Sequence, residues 1–185
     1  MSNSNARDFV VLTAVGTDRP GIVAVVTEFL SERGCNVEES RMAILGGEFG
    51  LLMLVSGKES TVIALDDEIS RLEENSGLEI RIRRTAAPET HRQPGAVPYL
   101  IKTYAADHEG IIHAISRSLT QLGVNIVSAS TSSHLAPISG TPLFQMDMEV
   151  DVPQSLNPNE LRNMLDQVAV KESADIELSF VEGGR

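Results

Sequence analysis

Apolar positions along this chain switch between two periods, and the switches outline its elements. Residues 9–15 form a short apolar run suited to a buried strand. Ile22, Val26, Phe29 and Leu30 then recur at i, i+4, i+7 and i+8, gathering one apolar stripe on a helix. Pro20 fits the first turn of that helix, and Gly34 fits its left-handed C-terminal stop. Residues 37–45 and 49–55 read as strands joined by Gly46-Gly47, a hairpin signature. Val62, Leu65, Ile69 and Leu72 stripe a second helix. Residues 78–83 alternate, Leu78, Ile80 and Ile82 against Glu79, Arg81 and Arg83, and close the unit as a strand.

The same order then repeats. Residues 99–104 read as a strand, and Ile111, Ile115, Leu119 and Leu122 stripe a helix. Residues 126–132 and 143–150 are strands with a longer connection. Asn157-Pro158-Asn159-Glu160 opens the second helix with a cap, a first-turn proline and a capping-box glutamate. Leu161, Met164, Leu165 and Val168 form its stripe, and residues 175–180 make the last strand. Asp18-Arg19-Pro20-Gly21-Ile22 reappears as Asp107-His108-Glu109-Gly110-Ile111, 89 positions later. Gly34-Cys35-Asn36-Val37 reappears as Gly123-Val124-Asn125-Ile126 at the same offset. Two separated motifs in one register mark a duplication of a βαββαβ unit. The offset grows to 96 by Ile80 and Ile176, so about seven residues are added, placed around residues 134–142. The reading is therefore α+β with a ferredoxin-like order: module one over 7–84, a Pro-rich linker over 85–97, module two over 98–182. Pro88, Pro94 and Pro98 stiffen the stretch over 85–98, which also holds Gly95, so a defined separation of the modules is expected.

Composition narrows the function. Fifteen basic and 26 acidic side chains leave a net charge of −11. Phosphate would be repelled on average, so direct nucleic-acid binding is disfavoured. Arg81, Arg83 and Arg84 are the densest basic cluster, and a charged sheet edge accounts for them. No apolar run nears the roughly 20 residues of a membrane span, and the polar residues 1–8 lack a signal peptide's features, so a cytoplasmic protein is expected. Cys35 is the one cysteine, which rules out an internal disulfide or thiolate cluster and reads as a small buried hydrophobe.

The βαββαβ order hosts unrelated activities, so function rests on the site. RNA-recognition modules stack bases on strand aromatics, and here the third strands offer only Phe49 and Phe144. An acylphosphatase-like enzyme needs an arginine in a phosphate cradle. Arg19 stands in the right loop, but His108 replaces it in the second copy and no glycine-rich cradle surrounds either. His108 and His113 are five apart, about 140° around a helix, and fail the zinc spacing of four. They read as solvent-exposed histidines, with His91 in the linker and His134 in the enlarged hairpin. Catalysis, metal and cofactor are not expected.

The repeated turn into the first helix remains. Gly21 or Gly110 leaves room for close backbone approach, and the helix start suits a carboxylate. Asp18 or Asp107 can accept from an ammonium group, and Asn36 or Asn125 offers an amide donor and acceptor. With Ile22 or Ile111 these groups complement an α-amino acid. Plainer readings stand beside that one: the Asp as a helix N-cap, the Asn as turn chemistry.

At these residues the chain resembles the ACT-domain family, whose signature joins a D/N-x-P-G-hydrophobic turn to a Gly-x-Asn-hydrophobic turn about 15 residues on. The first copy matches both, and the second departs at His108 and Glu109. The resemblance covers nearly the whole chain and is narrowest, along residues 34–49, to stand-alone tandem members. It implies antiparallel sheets with helices on one face, side-by-side pairing of modules, a homodimer, and ligand beside the glycine turn. It further implies an amino-acid sensor, glycine favoured, that represses the glycine cleavage operon through a LysR-type activator without reading DNA itself. Regulation of a metabolic enzyme by the same sensing is the alternative.

Overall fold

A computed structural model describes residues 7–88 and 95–181. Two compact units divide the chain, residues 1–91 and 92–185. The linker positions His91 and Pro94 lie outside the described residues, so the expected stiffness falls there too.

The first unit runs β1 (Asp8–Thr17), α1 (Ile22–Glu32), β2 (Asn36–Leu45), β3 (Glu48–Gly57), α2 (Glu59–Ser76) and β4 (Glu79–Thr85). The second repeats it as β5 (Val97–Ala106), α3 (Ile111–Gln121), β6 (Asn125–Leu135), β7 (Pro142–Val152), α4 (Pro158–Glu172) and β8 (Ala174–Phe180). Each sheet is four-stranded and antiparallel, in the orders β2-β3-β1-β4 and β6-β7-β5-β8. Both modules are thus βαββαβ with two helices over one sheet face.

Alternation explains which face is covered. Val10, Leu12 and Ala14 of β1 and Leu51, Met53 and Val55 of β3 point into the core and are buried, while their neighbours face outward. Ile22, Val26, Phe29 and Leu30 of α1, with Val62, Leu65 and Leu72 of α2, close over them. The second core is built alike from Tyr99, Ile101, Met146, Met148, Ile115, Leu119, Leu161 and Leu165. Both cores are chiefly aliphatic, and Phe49 and Phe144 are buried in them. Neither ring is offered to a nucleic-acid base.

Glycine ends the first helix of each module by a shared device. Gly34 at φ +68 follows the last turn, and Gly34 and Cys35 donate backbone hydrogen bonds to Ser31 and Leu30. Gly123 and Val124 do the same to Thr120 and Leu119. This pattern satisfies the last carbonyls of the helix. Gly46 and Gly47, at φ +61 and +93, form the two-residue hairpin with both central residues left-handed. The β6–β7 connection spans residues 136–141, four more than the Gly46-Gly47 turn, and β6 and β7 are each one residue longer than β2 and β3. The rest arises because the β7–α4 connection is longer while α4 is shorter than α2. Asn157 caps α4 through its Oδ1, which accepts from the Asn159 amide at 2.9 Å, with Pro158 in the first turn.

Pro20 requires a correction. It lies outside α1, because Gly21 between them sits at φ +89, ψ −4, and no right-handed helix propagates through a left-handed residue. Arg19-Pro20-Gly21-Ile22 is instead a type II turn, closed by the Ile22 amide on the Arg19 carbonyl at 3.4 Å, with Pro at i+1 and Gly at i+2.

Leu12 is fully buried at the centre of the first sheet. Leu12→Ala should cost about 2–5 kcal/mol, read as a lower urea midpoint with an unchanged m-value.

Candidate functional site

The turn between the first strand and first helix is built the same way in both modules. Gly21 and Gly110 stand at the N-cap position of α1 and α3 with φ +89 and +101, and a Cβ on either would meet nothing within 4 Å. Glycine is needed there for its backbone angle, and the space beside it is open. Neither helix has a side-chain N-cap bond, so Asp18 and Asp107 are not caps. The Ile22 amide is engaged, at a long 3.4 Å, inside the turn. The next amides, of Val23 and Ala24, have no partner within a helix of this geometry. They join the donor set that periodicity alone did not reveal.

In module two this turn borders an open cavity of about 490 Å³, lined by Asp107, His108, Glu109, Gly110, Ile111, Ile112, His113 and Phe144. Three of the four residues expected there from sequence line it. Asp107 is held in place: its amide donates to the Pro142 carbonyl at 2.9 Å, and its Oδ2 accepts from Ser133 Oγ at 2.6 Å. Ser133 carries no sequence signal, because β6 pairing alone brings it to the turn.

Asn36 and Asn125 are elsewhere. The Asp18 amide bonds to the Gly47 carbonyl at the hairpin end of the sheet, whereas Asn36 pairs with Ser56, nine residues further along β3. At about 3.3 Å per strand residue the separation is roughly 30 Å. Asp107 and Asn125 are parted likewise, beside Pro142 and Asp151 at the two ends of β7. The expectation that the aspartate turn and the asparagine surround one ligand within a module is therefore corrected: an extended strand length lies between them. The reason is directional. The chain rises along β1, turns at the aspartate, descends through α1, and begins β2 at the bottom.

Asn36 has its own surroundings. Its Nδ2 donates to Glu38 Oε1 at 2.9 Å, and the same oxygen accepts from Ser56 Oγ at 2.5 Å and from Arg7 Nη1 at 3.3 Å. A β-bulge between Val37 and Glu39 turns Glu38 toward them. The Ser56 hydroxyl first and then the Asn36 amide hold the Glu38 carboxyl below its ordinary value against the opposing effect of burial, with a lesser contribution from Arg7. In module two the bulge position is Val127 and the facing residue is Asp151, so the charge there sits on the neighbouring strand.

The position after the aspartate acts as a tie in both copies. Arg19 Nη2 donates to the carbonyls of Asn75 and Ser76, each at 3.0 Å, at the end of α2. It is therefore spoken for as a phosphate ligand. His108 Nε2 lies 3.0 Å from the Glu172 carbonyl at the end of α4, and Nδ1 lies 3.0 Å from its neighbour Glu109's carbonyl. The His108 ring is exposed, as the sequence suggests, but both nitrogens are engaged. The Glu172 carbonyl chiefly, then that of Glu109, raise its pKa above the usual imidazole value.

Other expectations resolve simply. Cys35 packs against the first core, and burial raises its thiol pKa despite the nearby Arg33. Arg81, Arg83 and Arg84 lie on β4, an edge strand, and all three are exposed. Among the described residues no cluster of metal-ligating side chains occurs, and no helix is long and apolar enough to cross a membrane.

Removing the Ser56 hydroxyl should release Glu38. Ser56→Ala should raise the Glu38 midpoint toward the ordinary carboxylate value in a carbon-detected NMR titration. The lowered native pKa means Glu38 contributes stability above its unfolded value and loses it as pH falls through the native one. Gly21→Ala should cost about 1–2 kcal/mol from the left-handed backbone alone, read as a lower melting temperature.

Comparison with known proteins accords with this architecture. Residues 8–83 match the ACT domain family. The glycine cleavage system transcriptional repressor of Escherichia coli K12 is 32% identical over 149 residues, 70% of this chain and 78% of that protein. A crystal structure of a Galdieria sulphuraria protein superposes with a TM-score of 0.78 at 32% identity, covering 95% of this chain and 99% of that one. Phosphoserine phosphatase SerB2 of Mycobacterium tuberculosis H37Rv is 26% identical over 173 residues, 92% of this chain but 40% of the enzyme. The duplicated βαββαβ module, its left-handed glycine turns and these likenesses together establish that the chain belongs to the ACT-domain family and carries two such modules.

Proposed function

We propose that this chain is a cytoplasmic, homodimeric sensor of a small amino acid, glycine favoured, that represses the glycine cleavage system. It acts through a protein partner, a LysR-type activator, without reading DNA itself. The observation that carries the sensing part is the separation of each asparagine from its aspartate turn by the length of a strand. One module holds half of an amino-acid site at each end of its sheet. An antiparallel pairing of two copies along the same edge joins the unlike halves.

The free edge of module two favours that pairing, whereas β2 of module one carries Glu38, Glu39 and Arg41. On one side of each sheet the edge is charged, by Arg81, Arg83 and Arg84 on β4 or by Asp175 and Glu177 on β8, which discourages strand addition. On the other side β6 exposes every residue from Asn125 to Leu135 and carries no acid, lysine or arginine. Met42, Ile44 and Leu45 on β2, and Ile126, Val127 and Leu135 on β6, are large apolar side chains left in water. Two β6 strands paired about Ser130 would set Asn125 of one copy opposite Leu135 of the other. Leu135 pairs with Pro142, whose carbonyl holds Asp107. The ligand ammonium would then meet Asp107, its carboxylate would meet the helix-start amides of Gly110 and Ile111, and Asn125 would arrive from the second copy. Asp18, Gly21, Ile22 and Asn36 make the corresponding set in module one. Such a site exists only in the paired state, so ligand and pairing stabilise each other.

The repressor role is drawn from the likeness to the Escherichia coli protein, and the charge of −11 accords with action by protein contact. The partial match to SerB2 favours a second reading, in which the same sensing regulates a metabolic enzyme. Capture from native lysate separates them: a helix-turn-helix activator supports the first, a biosynthetic enzyme the second.

A ligand that prefers the native dimer raises the melting temperature. Across the twenty amino acids, glycine or another small one should give the largest rise, and Asn36→Ala with Asn125→Ala should abolish it while leaving the fold intact. Unchanged stabilisation in the double variant would remove both asparagines from the site.

A further inference from the structure

The residue after the aspartate reaches across its module to the same place in both copies. Arg19 crosses to the last carbonyls of α2, and His108 crosses to the last carbonyl of α4. In each case a cation-bearing side chain meets the negative end of a helix dipole, the favourable sense. The tie fixes the turn that carries Gly21 or Gly110, and so fixes the direction of the helix-start amides. What differs is the donor. A guanidinium stays charged at every accessible pH, whereas an imidazole gains and loses a proton near neutrality.

The geometry at His108 makes the proton matter. Both ring nitrogens face carbonyl oxygens at 3.0 Å, from Glu109 and Glu172. Imidazolium has two N–H groups and satisfies both. The neutral ring has one, so a lone pair must face one of the carbonyls. The nearby acids agree in sign, against an opposing effect of burial. Asp107 and Glu109 flank it on the turn, Glu172 from α4 faces it with its carboxylate 3.3 Å from Lys171 Nζ, and His113 of α3 lines the same cavity. Asp107 and Glu172 favour the cation. Phe144, from β7, adds no charge.

We propose that Arg19 and His108 are positioning latches of the two ligand turns, the first permanent and the second held by two bonds when His108 is protonated and by one when it is neutral. The consequence is that amino-acid occupancy of module two weakens as pH rises through the His108 midpoint, while that of module one does not. The sign follows from the two-carbonyl geometry: the two-bond latch prefers the proton, so it is tightest below the midpoint and loosens above it. By reciprocity, ligand bound at module two raises that midpoint and takes up protons. This coupling rests on the amino-acid site proposed above; the latch itself does not.

The test uses the full chain and NMR, with glycine as the probe. Nitrogen-detected titration should give His108 a midpoint above about 6.5, the ordinary imidazole value. The protection factor of the Ala114 amide, which donates to the Gly110 carbonyl at 2.9 Å, removes the intrinsic pH dependence of exchange and should fall above that midpoint in the wild type and stay level in His108→Arg. Glycine titrations at pH 6 and pH 8 should weaken severalfold at Gly110 and stay constant at Gly21, with His108→Arg removing the difference. His108→Leu, which offers no donor at any pH, should leave the turn loosened throughout. A midpoint at or below 6.5, or amide protection indifferent to His108 protonation, overturns the latch. A raised midpoint with a pH-independent glycine response at Gly110 overturns the coupling. No glycine response at either turn removes the sensor reading, and the protection factors still decide the latch.

Discussion

Covering one face of a four-stranded antiparallel sheet with two helices is the constraint from which the rest of each module follows. The sheet must alternate, so Val10, Leu12 and Ala14 go inward and Val11, Thr13 and Val15 outward. The helices must each return the chain to the opposite end of the sheet, since both pack along it. Every connection therefore falls at one end or the other. The aspartate turn lands beside the β2–β3 hairpin, and the Gly-x-Asn turn lands where β3 ends. A module of this kind cannot close a small-molecule site around both motifs. The β2 and β6 edges are each paired on one side only within their sheets.

Charge is distributed in keeping with that arrangement. The edges at β4 and β8 carry the ionic side chains that keep strands from adding, while β6 carries hydroxyls, small residues and exposed aliphatics. The two modules also diverge in the polar groups around their asparagines. Asn36 has Glu38 on its own strand and Ser56 and Arg7 to hold that carboxylate, whereas Asn125 has Val127 at the bulge and Asp151 facing it. The Arg19-to-His108 exchange adds a second asymmetry at the turn. A duplicated fold thus carries two turns of the same plan and different proton chemistry.

Much of this was legible along the chain. Apolar spacing of 3.6 and 2 located every element, because each element buries one face and only the matching period can do so. The 89-residue offset exposed the duplication, since two copies of one core demand the same pattern. Gly34 announced the end of the first helix, being a residue that takes a left-handed angle without strain. The motif residues Asp18, Gly21, Asp107 and Gly110 could be named as well. Pro20 was misread as helical for a local reason: a proline before a helix and a proline inside a turn look alike until the next residue's φ is known.

What the sequence alone determined is therefore the module, its duplication and the residue types at its turns, all set by local backbone preference and burial. Which of those residues meet was decided only by the tertiary structure. Strand direction sends Asn36 and Asn125 about 30 Å from their aspartates. The β6–β7 register carries Ser133 to Asp107, and the packing of the second helix brings its last carbonyls within reach of Arg19 and His108. Neighbourhood across a sheet depends on which strand lies beside which and at what register. That is a property of the assembled fold, and no spacing along one chain encodes it.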